Sequence, residues 1–221
     1  MRVTGGQARG RHLIGPQGRL LRPTSDLVRE ALFQVLTVRL GFSWESCSVL
    51  DLFAGTGALG IEALSRGARE AVFVDNHRQS IELIRQNLST CGFSGRASVI
   101  RAGIGTRRNS LKRVLDQGPY KVIFADPPYS RGLGLKALGW VDQTGMLASD
   151  GWMVVEGFKT EELPKEITPH SGTECRGHGS GSRLDLVESR RYGQTELWFY
   201  RSIQCNHQIT KPPNHQITPA V

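Results

Sequence analysis

From Ser48 to Glu156 the chain repeats one rhythm: a short apolar run, a turn, then a segment whose apolar residues recur at helical spacing. Ser48-Val49-Leu50-Asp51-Leu52-Phe53, Ala71 to Asp75, Ala97 to Ile100, Tyr120 to Asp126 and Trp152 to Glu156 are the runs, each short enough for a buried strand. Between them, Ala58 to Arg66 carries Leu59, Ile61 and Leu64 and ends at Gly67. Ser80 to Leu88 carries Ile81, Ile84 and Leu88. Asn109 to Asp116 and Leu133 to Val141 read as further helices. Strands that alternate with helices cannot be joined by hairpins, so the pattern predicts an α/β fold. It would be a Rossmann-like, doubly wound, mostly parallel sheet with helices on both faces.

The two ends depart from this rhythm. Leu184 to Glu188 and Thr195 to Tyr200 alternate like strands across Arg190-Arg191-Tyr192-Gly193-Gln194, which predicts a closing antiparallel hairpin. Thr168 to Ser182, rich in Gly, Ser and His, reads as a loop. At the start, residues 1–22 hold five arginines and no acidic residue, and form an expected basic arm or small hairpin. Pro23-Thr24-Ser25-Asp26 then offers capping chemistry for a first helix from Ser25 to about Val38. The expected division is an arm over 1–22, a catalytic domain over 23–201 and a disordered tail over 202–221. That tail repeats Asn-His-Gln-Ile-Thr at 206–210 and 214–218.

A formal charge of +8 favours a polyanionic partner. The cysteines Cys47, Cys91, Cys175 and Cys205 form no CxxC pair, so no metal site is expected and the thiols read as reduced. Without an apolar leader or a long apolar run, the expectation is a cytoplasmic protein, with a monomer as the default state.

Asp51-Leu52-Phe53-Ala54-Gly55-Thr56-Gly57-Ala58-Leu59-Gly60 joins the first strand to its helix. Its glycines allow a tight turn and close approach of a ligand to backbone N–H groups at a helix start. Asp75 ends the next strand, at a spacing suited to ribose hydroxyls, with Asn76 beside it. A dinucleotide and S-adenosylmethionine both present a ribose there. Asp51 tips the choice, since a carboxylate repels a pyrophosphate but suits the cationic methionine end of S-adenosylmethionine. The expected cofactor site is thus Asp51, Phe53, Gly55, Gly57, Asp75 and Asn76.

Asp126-Pro127-Pro128-Tyr129 follows the Val122–Ala125 strand. Two prolines stiffen the backbone, so the Asp126 carboxylate and the Pro127 carbonyl can face one point and receive the two N–H groups of a primary amine. Tyr129 offers a flat face on which a base can stack. These residues and Pro128 are the expected catalytic and substrate positions. Arg9, Arg11, Arg22 and Arg29 are candidate phosphate contacts, although Arg29 is equally placed to pair with Asp26 or Glu30 on its own helix.

Asp126-Pro-Pro-Tyr129 resembles the signature of amino-directed methyltransferases. Arg22–Phe33, Leu50–Gly67, Arg191-Tyr-Gly193 and the opening Gly5-Gly-Gln-Ala-Arg-Gly-Arg11 are together similar to the RsmD-type guanine-N2 methyltransferases of bacterial 16S ribosomal RNA. The resemblance spans residues 1 to 201 and implies a class I methyltransferase fold, with a seven-stranded sheet whose last hairpin is antiparallel. It implies S-adenosylmethionine as cofactor and small-subunit RNA, naked or assembled, as substrate. In this chain Gly103 stands where that family is expected to carry an acidic residue near the cofactor adenine. A DNA amino-methyltransferase, a protein-glutamine methyltransferase and a non-catalytic RNA-binding or ribosome assembly factor are the competing readings.

Overall fold

The computed structural model describes residues 1–15, 26–40, 43–104, 108–128, 132–167 and 182–204. Within them are five α-helices: α1 Asp26–Leu40, α2 Ala58–Ser65, α3 Arg78–Cys91, α4 Arg108–Leu115 and α5 Leu133–Thr144. The strands are β1 Ser48–Leu52, β2 Glu70–Asp75, β3 Ala97–Arg101, β4 Tyr120–Ala125, β5 Leu147–Phe158, β6 Glu166–Ile167, β7 Ser182–Tyr192 and β8 Thr195–Gln204. They form one sheet in the order β3-β2-β1-β4-β5-β8-β7-β6, parallel from β3 to β5 and antiparallel beyond it.

Eight strands replace the expected seven, because the two-residue β6 pairs with Leu184 and Asp185 at the outer edge of β7. A pair of residues carries no readable period. Strand β5 also begins five residues earlier than the expected Trp152. Asp150, at φ 57°, and Gly151 kink this strand rather than end it. Arg190 and Arg191, read as part of the connection, lie in β7, and β8 runs through Gln204, past the boundary expected after Arg201. The segments at 23–25, 168–181 and 205–221, with Cys175 and Cys205, lie outside the described residues. Cys47 and Cys91 are buried free thiols, and burial raises both above the ordinary thiol value.

Strand side chains alternate between two cores. Val49, Phe73, Phe124, Val154 and Phe199 face one side with residues of α1, α2 and α3. Leu50, Val72, Ile123, Val155 and Tyr200 face the other with residues of α4 and α5. Gly60 lets α2 lie directly on the sheet, because a Cβ there would stand 2.3 Å from Cε1 of Phe73.

Residues 1–15 are not a free arm. Arg2 bridges His12 in antiparallel fashion, and Val3, Ala8 and Leu13 are buried in the first core. Ser65 accepts from the Gln7 N–H at its carbonyl and from the Ala8 N–H at its hydroxyl, which in turn donates to the Gly5 carbonyl. Glu62, fully buried on α2, accepts from the N–H and the hydroxyl of Thr4.

Candidate active site

The order β3-β2-β1-β4-β5 reverses direction between β1 and β4. Ligands of such sheets bind beyond the carboxyl ends of the strands at this switch point. Leu52 is level with Val74 on one side and with Ala125 on the other, so the Gly-rich loop and Asp126 leave the sheet side by side.

Period-two alternation then brings four carboxylates together. Asp51, Asp75, Asp126 and Glu156 lie two residues beyond Val49, Phe73, Phe124 and Val154, all of which face α1–α3. Four neighbouring strands thus present acid at one end of one face. Asp51, 1% exposed, accepts the Gly60 N–H at 2.9 Å. Burial raises its pKa to about 8; the Gly60 N–H opposes the shift and the charge of Asp75 adds to it. Asp126 is held well above the ordinary carboxylate value by desolvation, by Glu156 and by Asp51. Glu156, buried on β5, was missed in the sequence, although a lone acid ending an apolar strand is the same signal that Asp51 and Asp75 give.

Asp75 fixes the loop between β1 and α2. Its two oxygens accept the Gly55 N–H at 2.9 Å and the His77 N–H at 2.8 Å, and each retains a lone pair. Phe53 (φ 60°), Gly55 (φ 56°) and Gly57 (φ 79°) take left-handed backbone, which is costly for Phe53 and free for the glycines. Gly57 caps α2 with no side-chain bond of its own, and in the first turn the Gly60 N–H goes to Asp51. Around Gly55 a Cβ would find no atom nearer than 3.8 Å, so the loop has open space there. Asn76 is exposed, and Gly103 follows β3 just after Ala102, whose N–H donates to the Asp75 carbonyl. Pro127 is buried and Pro128 exposed; Tyr129 and Arg22 lie outside the described residues.

Arg9 and Arg11 are exposed, with the Arg11 guanidinium donating to the Thr90 carbonyl. Arg29 is different from the phosphate contact considered for it. It is 1% exposed, bonds Asp26 at 2.8 Å and lies 3.5 Å from the buried Glu62, which also pairs with Arg66 at 2.9 Å. Its role is to carry charge balance between α1 and α2, since a buried carboxylate such as Glu62 is tolerated only when paired. Its other candidate partner, Glu30, is not the one used.

The model of the family described as "Conserved hypothetical protein 95" matches residues 1–201. The chain belongs to that family, the RsmD family. The ribosomal RNA small subunit methyltransferase D of Escherichia coli K12 is 36% identical over 165 residues, covering 74% of this chain and 78% of the relative. Its counterpart in Haemophilus influenzae is 33% identical over 193 residues, 87% of this chain and 93% of the relative. The solved structure of yhhF of Escherichia coli superposes with a TM-score of 0.71 at 32% identity, over 93% of this chain and 99% of that one. An RNA methyltransferase from Salinibacter ruber, solved with S-adenosyl-L-homocysteine, shares the fold at a TM-score of 0.57 and 12% identity, over 87% of this chain and 97% of that one.

Proposed function

We propose that this protein transfers a methyl group from S-adenosylmethionine to the exocyclic N2 amine of a guanine in 16S ribosomal RNA, acting as a monomer in the cytoplasm. One observation carries the reading: Asp126-Pro127-Pro128 leaves the sheet beside the glycine loop that follows Asp51 and Leu52 at the switch point, in a chain of the RsmD family. No helix among the described residues is long and apolar enough to cross a membrane.

The residues present suit the cofactor. The open, positive-φ glycine turn at Gly55 and Gly57 accepts close approach, and Asp51 is a buried acid with no cation paired to it among the described residues. Asp51 and the loop backbone would hold the methionine end, with Phe53 alongside. Asp75 and Asn76 would hold the ribose, and Gly103 would lie by the adenine. S-adenosylmethionine supplies an electrophilic methyl group on a sulfonium.

The chain's own contribution is to position and to handle a proton. The N2 lone pair of guanine is delocalised into the ring, so the nitrogen is a weak nucleophile. Accepting its two N–H groups at the Asp126 carboxylate and the Pro127 carbonyl favours a pyramidal nitrogen with its lone pair free. As the new N–C bond formed and the methyl–sulfur bond broke to leave a neutral thioether, N2 would become cationic and give one proton to Asp126. A carboxylate whose pKa is raised is a stronger base for that proton than an exposed one. Tyr129 and Pro128 would wall the extruded base, and Arg9, Arg11 and Arg22 of the basic segment 1–22 would grip phosphates.

The test is transfer of labelled methyl to unmodified small ribosomal subunits, naked 16S RNA and duplex DNA, with Asp126→Ala as control. Label in a guanosine of either RNA substrate, lost in the variant, is expected. Label in DNA alone, or none in any acceptor with cofactor bound, refutes the assignment.

A further inference from the structure

Asn87 on α3 is fully buried, 31 residues from the glycine loop and 73 from the end of the N-terminal hairpin, yet it bonds to both. Its Oδ1 accepts the Ile14 N–H at 2.7 Å. Its Nδ2 donates to the Ile14 carbonyl at 3.0 Å and to the Thr56 carbonyl at 2.9 Å. The amide therefore pairs with Ile14 as a neighbouring strand would, and spends its second N–H on the residue between Gly55 and Gly57. The orientation is fixed: turning the amide over would set an N–H against an N–H and an oxygen against two carbonyls.

The same two parts meet again through Met1, whose sulfur receives the Thr56 hydroxyl at 3.6 Å. Farther along α2, Ser65 and Glu62 hold the hairpin at Gln7, Ala8 and Thr4. The hairpin that carries Arg9 and Arg11 is thus joined to both ends of the helix that the glycine loop starts. At the loop end the Asn87 amide is the buried joint that bonds backbone on both sides, beside the weaker Thr56–Met1 contact.

We propose that Asn87 is a positioning residue that couples the two ligand sites, so that filling the cofactor loop orders the hairpin that grips RNA. The proposal rests on the cofactor reading above. A ligand settling on the Gly55–Gly57 backbone restrains Thr56; the Thr56 carbonyl restrains Asn87, and Asn87 restrains Ile14 on both its polar groups. Coupling of this kind is reciprocal, so RNA on the hairpin tightens the cofactor site by the same factor.

The experiment is amide hydrogen exchange of the full chain with and without S-adenosyl-L-homocysteine, after calorimetry has established binding. In the native protein the ligand is expected to slow exchange at Val3, Gly10, Leu13 and Ile14 by about fivefold or more, the lower end of ordinary couplings. In Asn87→Leu these amides should no longer respond, while those of β1 and β4 still do. Because the core substitution threatens folding, Ile14→Pro is the second variant. It removes one of the two Asn87 bonds at an exposed residue and should diminish the response at Val3, Gly10 and Leu13. A purely structural role for Asn87 would lower protection everywhere without separating hairpin from sheet. Native hairpin amides indifferent to bound ligand, or an undiminished response in either variant, overturn the coupling alone. Absence of binding heat in the native protein overturns the cofactor reading, and the coupling with it.

Discussion

Replacing Gly60 by alanine should loosen both the fold and the cofactor site. The added Cβ would lie 2.3 Å from Cε1 and 2.7 Å from Cζ of Phe73, whereas carbon atoms rest at about 3.5–4.0 Å. Helix and ring must therefore part by roughly 1.2 Å. Phe73 is fully buried on β2, between β1 and β3, so most of the movement falls on α2. Overpacking of this kind costs about 1–3 kcal/mol. Against it, alanine is better than glycine inside a helix by about 1 kcal/mol. A net loss of up to about 2 kcal/mol lowers the melting temperature of a chain this size by up to about 8 °C. The shift also draws the Gly60 N–H from Asp51, so cofactor affinity should fall. Circular dichroism melts of Gly60→Ala, Phe73→Leu and the double variant measure this as a cycle. Phe73→Leu should cost less in the alanine background than alone. A Gly60→Ala protein at least as stable as the native one, or strict additivity, would refute the close-packing argument.

Asp51, with its pKa raised to about 8, makes cofactor binding depend on pH. Below that value the acid is neutral and offers no charge to the ammonium. Affinity for S-adenosylmethionine should therefore climb from pH 6 to pH 8, and Asp51→Asn should flatten the profile; a flat native curve by calorimetry would sink the idea. The same shift acts on the free protein with the opposite sense. The native chain keeps a proton that the unfolded chain releases near pH 4, so this carboxyl's contribution is complete below about pH 4 and lost by about pH 8. Asp126→Asn should cut kcat about 10²–10⁴-fold while leaving cofactor affinity near native, as measured by single-turnover transfer. Arg9→Ala and Arg11→Ala should each reduce the salt slope of RNA binding by about 1 in filter assays. Arg29→Met should leave that slope alone and destabilise the fold by about 3 kcal/mol, because Glu62 loses a buried partner; an altered slope would return Arg29 to the RNA face.

The parallel core was readable because strands buried on both faces are near-continuous apolar runs, and Asp51, Asp75 and Asp126 interrupt or end them. Glu156 obeys the same parity as those three. It escaped notice because its strand was placed by its apolar residues, and the register that aligns it with Asp126 is a property of the sheet. Arg29 shows a harder limit. Its neighbours in sequence offered Asp26 and Glu30, but its buried partner Glu62 stands 33 residues away, and only the packing of α1 on α2 brings them together. Asn87 is harder still, since its partners are backbone groups that leave no mark in the sequence. In the first 15 residues Val3, Ala8 and Leu13 are too sparse to show a period, so the small hairpin offered as one reading of this segment carried no sign of packing into the core.

The two-residue β6 leaves most of the outer side of β7 without a neighbouring strand among the described residues. A flat strand with idle N–H and C=O groups is an invitation to add a strand from another molecule. Here Arg183, Asp185, Glu188, Arg190 and Arg191 set charge along it, and Arg183–Asp185 and Arg190–Glu188 pair within the strand itself. An incoming strand would have to strip water from those ions before its first backbone bond formed. Among the described residues, the rim of this long antiparallel hairpin is guarded by charge rather than by a further full strand.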